Sequence, residues 1–330
     1  MDTIIITGVA GFIGYNLAER LIHSYNIIGV DNMAYDNPMS YSLKLSRLDN
    51  LKKHSNFRFM KYDLSDKYIL DVFPGEYYKN KIKCIIHLAA KAGVTDSLIH
   101  SDEYVNSNII GFTNILKLAV HLGIDHVIYA SSSSVYGDKF ELTPSSETSN
   151  TDHPKSFYAV TKKCSELIAD LFNKDYGLNC TGLRFFSVYG PWGRPDMSYF
   201  KFVNNLVNSE QVTLYGYGES VRNFTYIDDV TKSIELLIDK PKHKIYNVSG
   251  LNSSIKIKDL FELIRIKALE YNMIKSDILT PLNCELRSGD VNETNGSSEE
   301  LFKDINYLPS TKLGDGITEF LYWYRNYYCL

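Results

Sequence analysis

Nowhere in this 330-residue chain do eighteen apolar residues run together, the length a helix needs to cross a bilayer. Basic residues are not in surplus: 35 Lys and Arg stand against 39 Asp and Glu, a formal net charge of −4 and a pI of about 6.1. Such a chain has no broad positive field for nucleic acid or an anionic membrane, although a few well-placed arginines suffice to hold a small anion. The five cysteines, at 84, 164, 180, 284 and 329, make no CxxC and no metal-ligand spacing. An odd, dispersed set reads as free thiols in a reducing compartment, so a soluble cytoplasmic protein is expected. The eight histidines form no HExxH, and no GxSxG nucleophile elbow occurs, so metalloenzyme and hydrolase readings have little support and no metal is expected. His87, at a strand end, reads as a structural residue. The apolar opening "MDTIIITGVAGFIG" carries Asp2 where a leader would be basic, and glycines interrupt it; it reads as a buried first strand.

Short β-branched runs alternate with helix-length amphipathic segments through the first half. Strands are expected at 3–8, 25–31, 57–63, 83–90, 125–132 and 178–186, and helices include 101–122 and 157–176. Repeated βαβ units with right-handed crossovers give a Rossmann-like, doubly wound parallel sheet in an α/β fold. After about residue 186 the alternation breaks, and Gly, Pro and aromatics thicken in "SVYGPWGRPDMSYF". A further strand-like pair, 222–228 and 244–250, is expected to return to the first domain. The expected division is 1–186 plus about 222–250 for a dinucleotide-binding domain, and about 187–221 plus 251–330 for a smaller, discontinuous α/β substrate domain.

Directly after the first strand, "GVAGFIG" sets Gly8, Gly11 and Gly14 at the mouth of a helix. Glycines there permit the tight turn and let the backbone approach a pyrophosphate at the helix N-terminus. The second strand ends in Asp31, seventeen residues past Gly14, with Asn32 and no arginine after it. A carboxylate at that place accepts from an adenosine ribose and repels a 2′-phosphate, which favours NAD over NADP. Asp63 ends the third strand, where an adenine would lie, and reads equally well as a strand-end cap. Phe12 and Ile13 inside the glycine triplet, Leu64 beside Asp63, Leu88, Ala89 and Ala90 after the fourth strand, and Asn108, Tyr158 and Lys162 further along complete the candidate cofactor contacts.

Among 25 tyrosines, three precede a lysine by four residues: Tyr77–Lys81, Tyr158–Lys162 and Tyr271–Lys275. Only Tyr158 opens the helix after the fifth strand, whose end reads "ASSSSVYG" and carries Ser132 toward the same pocket. A free phenol, with a pKa of about 10, is a poor base at neutral pH. A lysine ammonium one helical turn away and a positive nicotinamide ring favour the phenolate, and a serine hydroxyl shares the substrate oxygen.

Together "GVAGFIG", "SSSSVYG" and "YAVTK" resemble the extended short-chain dehydrogenase/reductase superfamily. With "HLAAKAGV", "SNIIGFTNIL", "TGLRFFSVYGPWGRPDM", "RNFTYIDD" and "WYRNYY", nearly the whole chain is similar to UDP-glucuronate 4-epimerases within the UDP-hexose epimerase group. The resemblance implies NAD-dependent inversion at C4 through a 4-keto sugar, with Tyr158 taking the 4-hydroxyl proton. It implies that Arg222 and Arg287 hold the diphosphate, with Asp290 near Arg287 or the uridine ribose. Arg194 would face the diphosphate or the sugar, Ser187 the substrate and Phe186 the nicotinamide, unless Phe186 is plain core. Asn108 would brace the pocket, and helices 101–122 and 157–176 would pair two subunits into a homodimer. Where the glucuronate epimerases carry Arg-Tyr after "AGV", this chain has Thr95–Asp96, which would repel an acidic sugar and keeps UDP-glucose and UDP-N-acetylglucosamine open as substrates.

A nucleotide-sugar 4,6-dehydratase is the nearest rival, but that family places Asp-Glu where this chain has Ser133 and Ser134, which donate no proton at neutral pH. As epimerase residues these two serines are candidate substrate contacts. A 4-keto-sugar reductase would need exchangeable cofactor. A non-catalytic NAD-binding protein would not need Ser132, Tyr158 and Lys162 together.

Overall fold

The computed structural model describes residues 1–73, 78, 81–138, 143–275 and 279–330. Tyr77, of the first Tyr-x3-Lys pair, lies outside them. The six expected strands form as β1 (Thr3–Thr7), β2 (Asn26–Asp31), β3 (Phe57–Lys61), β4 (Ile82–His87), β5 (His126–Ser132) and β6 (Asn179–Phe185). β-Branched side chains on both faces explain why they are central: Ile4 and Ile6 enter one core cluster and Ile5 the other, all fully buried. All pairings are parallel, in the order β3-β2-β1-β4-β5-β6, with Lys244–Val248 added beyond β6 as a seventh strand.

Helices fill the crossovers. Phe12–Leu21 starts from the glycine turn, and Pro38–Leu51 takes Pro at its start and an Asn37 cap bonded to the Ser40 amide. The expected 101–122 helix is continuous but passes through a π-turn at Val105–Ile110, and it stops where Gly123 turns left-handed. Phe157–Tyr176 is capped by the Ser156 hydroxyl, which accepts from the Ala159 amide at 3.1 Å.

After β6 the chain builds smaller sheets. β7 (Ser187–Tyr189), β8 (Thr213–Tyr215) and β9 (Val221–Tyr226) precede β10 (Lys244–Val248); β11 (Ser254–Lys256), β12 (Leu282–Cys284) and β13 (Glu293–Thr294) follow. The expected strand pair therefore splits. β10 joins the large sheet, whereas β9 is the centre of a small one, bonded to β7, β11 and β13. A β-branched run signals a strand but not which sheet edge will take it, and β7, only three residues long, offers β9 its partner.

Candidate functional site

The order of the large sheet reverses between β1 and β4, and Gly8, Asp31, Leu88 and Ser132 lie at or just past the carboxyl ends of β1, β2, β4 and β5 around that switch point. Gly8 has φ +69°, and a Cβ there would lie 2.7 Å from the Ala89 amide nitrogen. A Cβ on Gly14 would lie 2.2 Å from the Gly8 carbonyl oxygen, so the turn folds onto itself and onto the end of β4 only without side chains. Gly11 is the N-cap of Phe12–Leu21 and supplies no capping side chain. The first-turn N–H groups are thus left for an anion, which fits a pyrophosphate.

Asp31 is buried; it accepts from the Ala10 amide at 3.1 Å and the Met33 amide at 2.9 Å, which holds the glycine turn against the end of β2. Asn32 donates to Asp63 at 3.0 Å. Asp63 also accepts from the Ser65 amide and hydroxyl; burial raises its pKa, but these bonds outweigh it and hold the carboxyl below its usual range. It does what a strand-end cap does, within one bond of the candidate ribose site. Leu64 is buried beside it. Leu88 and Ala89 run alongside β1, with Ala89 donating to the Thr7 hydroxyl at 3.3 Å, and Ala90 follows half-buried. Asn108, buried on the π-turn, accepts from the Lys91 amide and donates to the Lys91 carbonyl and the Thr161 hydroxyl, tying the loop after β4 to the helix that carries Tyr158.

Tyr158 and Lys162 come together on that helix. Lys162 Nζ lies 5.9 Å from the Tyr158 ring centroid and donates to the Ala130 carbonyl at 2.8 Å. Burial pushes the Lys162 ammonium down to about 8. The Tyr158 phenol is pushed up by burial, against the downward pull of its hydrogen bond with Ser132 and of the Arg194 guanidinium. Ser132 ends β5, accepts from the Ser134 amide and donates to the Ser134 hydroxyl at 3.0 Å, and Ser133 stands half-buried between them. The Tyr271–Lys275 copy lies elsewhere: Tyr271 caps the end of Ile257–Glu270, and Lys275 is exposed.

Arg194 forks onto Asp196 at 3.0 and 2.6 Å. Ser187 opens β7, half-buried. Phe186 is buried with its ring packed on Gly296, a core placement. Arg222 on β9 donates to the Val221 and Asn292 carbonyls, and its charge is felt from Asp290. Arg287 lies flat over Tyr215, 3.6 Å from the ring centroid. Asp290 bonds backbone to backbone with Arg287, and its carbonyl accepts from Lys155, three residues ahead of Tyr158. Thr95 and Asp96 sit on a short 3₁₀ turn, both exposed. His87 is buried, bonded to the Thr7 hydroxyl at 2.8 Å and pushed down to about 3 by burial, a neutral structural residue.

Several supporting residues escaped the sequence reading. Arg184 pairs with Glu166 through two bonds, at 2.8 and 2.9 Å, both side chains buried; Ser131 donates to the same carboxylate and Tyr136 accepts from Arg184. Glu166 follows Lys162 by one turn on the buried face of its helix, the one spacing signal that would have found it. Arg47 is the other omission; its bonds to the Ala10, Trp192 and Gly193 carbonyls leave no sequence trace.

Residues 4–249 match the NAD dependent epimerase/dehydratase family, and the chain belongs to it. The protein CapI of Staphylococcus aureus is 40% identical, over 98% of this chain and 99% of its own length. A UDP-glucuronate 4-epimerase of Thermodesulfobacterium geofontis is 34% identical, over 98% and 96%. The fold superposes on a tyrosine-to-phenylalanine mutant of Bacillus cereus UDP-glucuronic acid 4-epimerase, solved with UDP-4-deoxy-4-fluoro-glucuronic acid and NAD, with a TM-score of 0.88 at 26% identity, covering 99% of this chain and 100% of that one.

Proposed function

We propose that this chain is an NAD-dependent UDP-sugar 4-epimerase, an isomerase, and that its substrate pair is UDP-glucuronate and UDP-galacturonate. The observation that carries the reading is the meeting of Ser132, Tyr158 and Lys162 beside Arg194 at the end of β5. Gly8, Gly11, Gly14 and Asp31 would hold NAD, with Asn32, Asp63 and Asn108 around them. When bound, NAD supplies the reversible oxidation at the sugar C4. Tyr158 takes the proton of the 4-hydroxyl and returns it to the same oxygen once the 4-keto sugar has turned its opposite face to the site. Lys162 and Arg194 supply the positive charge that favours its phenolate, and Ser132 donates to the same oxygen. Arg222 and Arg287 grip the diphosphate with planar forks while the sugar stays free to turn.

The glucuronate assignment is supported by the T. geofontis relative, the B. cereus neighbour, the three hydroxyls of Ser132 to Ser134, and a guanidinium close to Tyr158. A second reading, a neutral UDP-hexose or UDP-N-acetylhexosamine, is favoured by Thr95–Asp96, which stand where the acidic-sugar enzymes carry Arg-Tyr. Proton NMR of the purified chain with each of UDP-glucuronate, UDP-glucose and UDP-N-acetylglucosamine separates the two. Fastest appearance of the galacto epimer from UDP-glucuronate is expected; a faster neutral sugar would replace the assignment, and no epimer from any would end the epimerase reading.

A homodimer is part of the proposal. Val160, Leu167 and Leu171 on Phe157–Tyr176, and Ile110 and Val120 near or on Gly111–Leu122, are 37–59% exposed, an apolar face suited to a second copy. A cytoplasmic setting is supported by five free thiols, two of them buried.

A further inference from the structure

Pro38–Leu51 buries Arg47, 3% exposed, and the residue takes part in no ion pair among the described residues. Its two terminal nitrogens go instead to backbone, while Nε is buried without a partner among those residues. Nη1 reaches the Ala10 carbonyl at 3.0 Å, and Nη2 reaches the carbonyls of Trp192 at 2.5 Å and Gly193 at 3.0 Å. Those oxygens belong to two separate working parts, the glycine turn and the turn that leads into Arg194. The carbonyl just ahead, of Pro191, accepts from Asn16 on the helix that begins at the glycine turn. Three successive carbonyls, 191 to 193, are therefore held by side chains of the first two helices.

The held turn needs holding. Trp192 has φ +61°, a conformation that a bulky side chain keeps only where its surroundings over-determine it. Its ring is wedged 5.0 Å from Tyr15 and 5.4 Å from Trp323. Two residues on, Arg194 is fixed by Asp196 close enough to Tyr158 to draw its phenol down.

We propose that Arg47 is a positioning residue: by binding the Ala10, Trp192 and Gly193 carbonyls together it registers the glycine turn against the Arg194 turn, and so sets where Arg194 stands relative to Tyr158. A planar guanidinium can span carbonyls from two segments; a lysine ammonium is a single point that cannot keep all three. Arg47 needs no contact with substrate to do this. The proposal rests on the epimerase reading only for the kinetic part of its test.

Arg47→Met should fold, with kcat/KM for the best UDP-sugar reduced at least 30-fold. The acid limb of its pH profile should move upward, because Tyr158 loses part of the Arg194 field. Adding Arg194→Met should cost no more than about threefold beyond the worse single variant, since both act through one interaction. Arg47→Lys should fall between Met and the parent, and it carries the test if Arg47→Met does not fold. A lowered thermal midpoint with kcat/KM within threefold and an unmoved pH profile would make Arg47 merely structural and overturn the proposal, as would losses that multiply in the double variant. The two tryptophans, Trp192 and Trp323, report the turn without any turnover. If no UDP-sugar is epimerised by the parent, the functional reading falls, and the positioning claim is then decided by emission: a shift in Arg47→Met supports it, and identical spectra overturn it.

Discussion

At the scale of residues, the candidate site is a set of charges held at a disadvantage until ligands arrive. Burial raises the Tyr158 phenol against the pull of Ser132 and Arg194, and burial alone lowers the Lys162 ammonium to about 8, so the phenol is not poised as a base in the free chain. Under the proposed mechanism Tyr158→Phe removes the group that takes the 4-hydroxyl proton, and kcat should fall by about 10²–10⁴ with the fold intact. Circular dichroism alongside the kinetics checks that; activity within tenfold of the parent would dismiss Tyr158 as the base. His87 yields a separate prediction. Its folded pKa, about 3, lies below the ordinary 6.5, so its contribution is complete above 6.5 and is lost as pH falls toward 3. At pH 4.5 the loss should be roughly 3 kcal/mol. Urea midpoints at pH 4.5 and 7 should differ less in His87→Asn than in the parent; an equal difference would assign the acid loss to other groups.

At the scale of elements, two joints carry the site. The glycine turn closes without Cβ atoms, so Gly14→Ala, set against the Gly8 carbonyl, should lower the thermal midpoint and abolish NAD retention on gel filtration; retained NAD would show that the turn can relax. The buried Arg184–Glu166 pair locks Phe157–Tyr176 to β6. Glu166→Ala should cost about 3–5 kcal/mol by stranding the guanidinium, measured by denaturant unfolding, and a loss under about 1 kcal/mol would mean that water reaches Arg184. Much of this was legible in the sequence. Period and β-branching marked the six strands, and position after the fifth strand singled out Tyr158 among three Tyr-x3-Lys copies. The destination of β9 was not legible, because its run fits either sheet and the choice depends on β7 and β13, strands of three and two residues. Arg47 and Arg184 were invisible for a related reason. Nothing local distinguishes a helix or strand arginine bound to a distant carbonyl or carboxylate from one in solvent.

At the scale of the whole molecule, the large sheet presents the glycine turn, Asp31 and Tyr158 at one rim, and the turn after β7 brings Arg194 within reach of Tyr158, while Arg222 on β9 and Arg287 over Tyr215 stand with the smaller sheets. The same helix that carries Tyr158 exposes Leu167 and Leu171 on its other face. Light scattering should find a dimer, and Leu167→Glu with Leu171→Glu should give a monomer; a monomeric parent at micromolar concentration would contradict the proposed pairing.

We propose that inversion occurs at C4, by removal and return of the same hydrogen within one site. The most direct test uses UDP-glucuronate carrying deuterium at C4, incubated with purified chain and no added NAD, followed by NMR. UDP-galacturonate with the deuterium still at C4 is expected, because the atom leaves and returns inside one site. Epimer that has lost the label, or no epimer even after NAD is supplied, would contradict it.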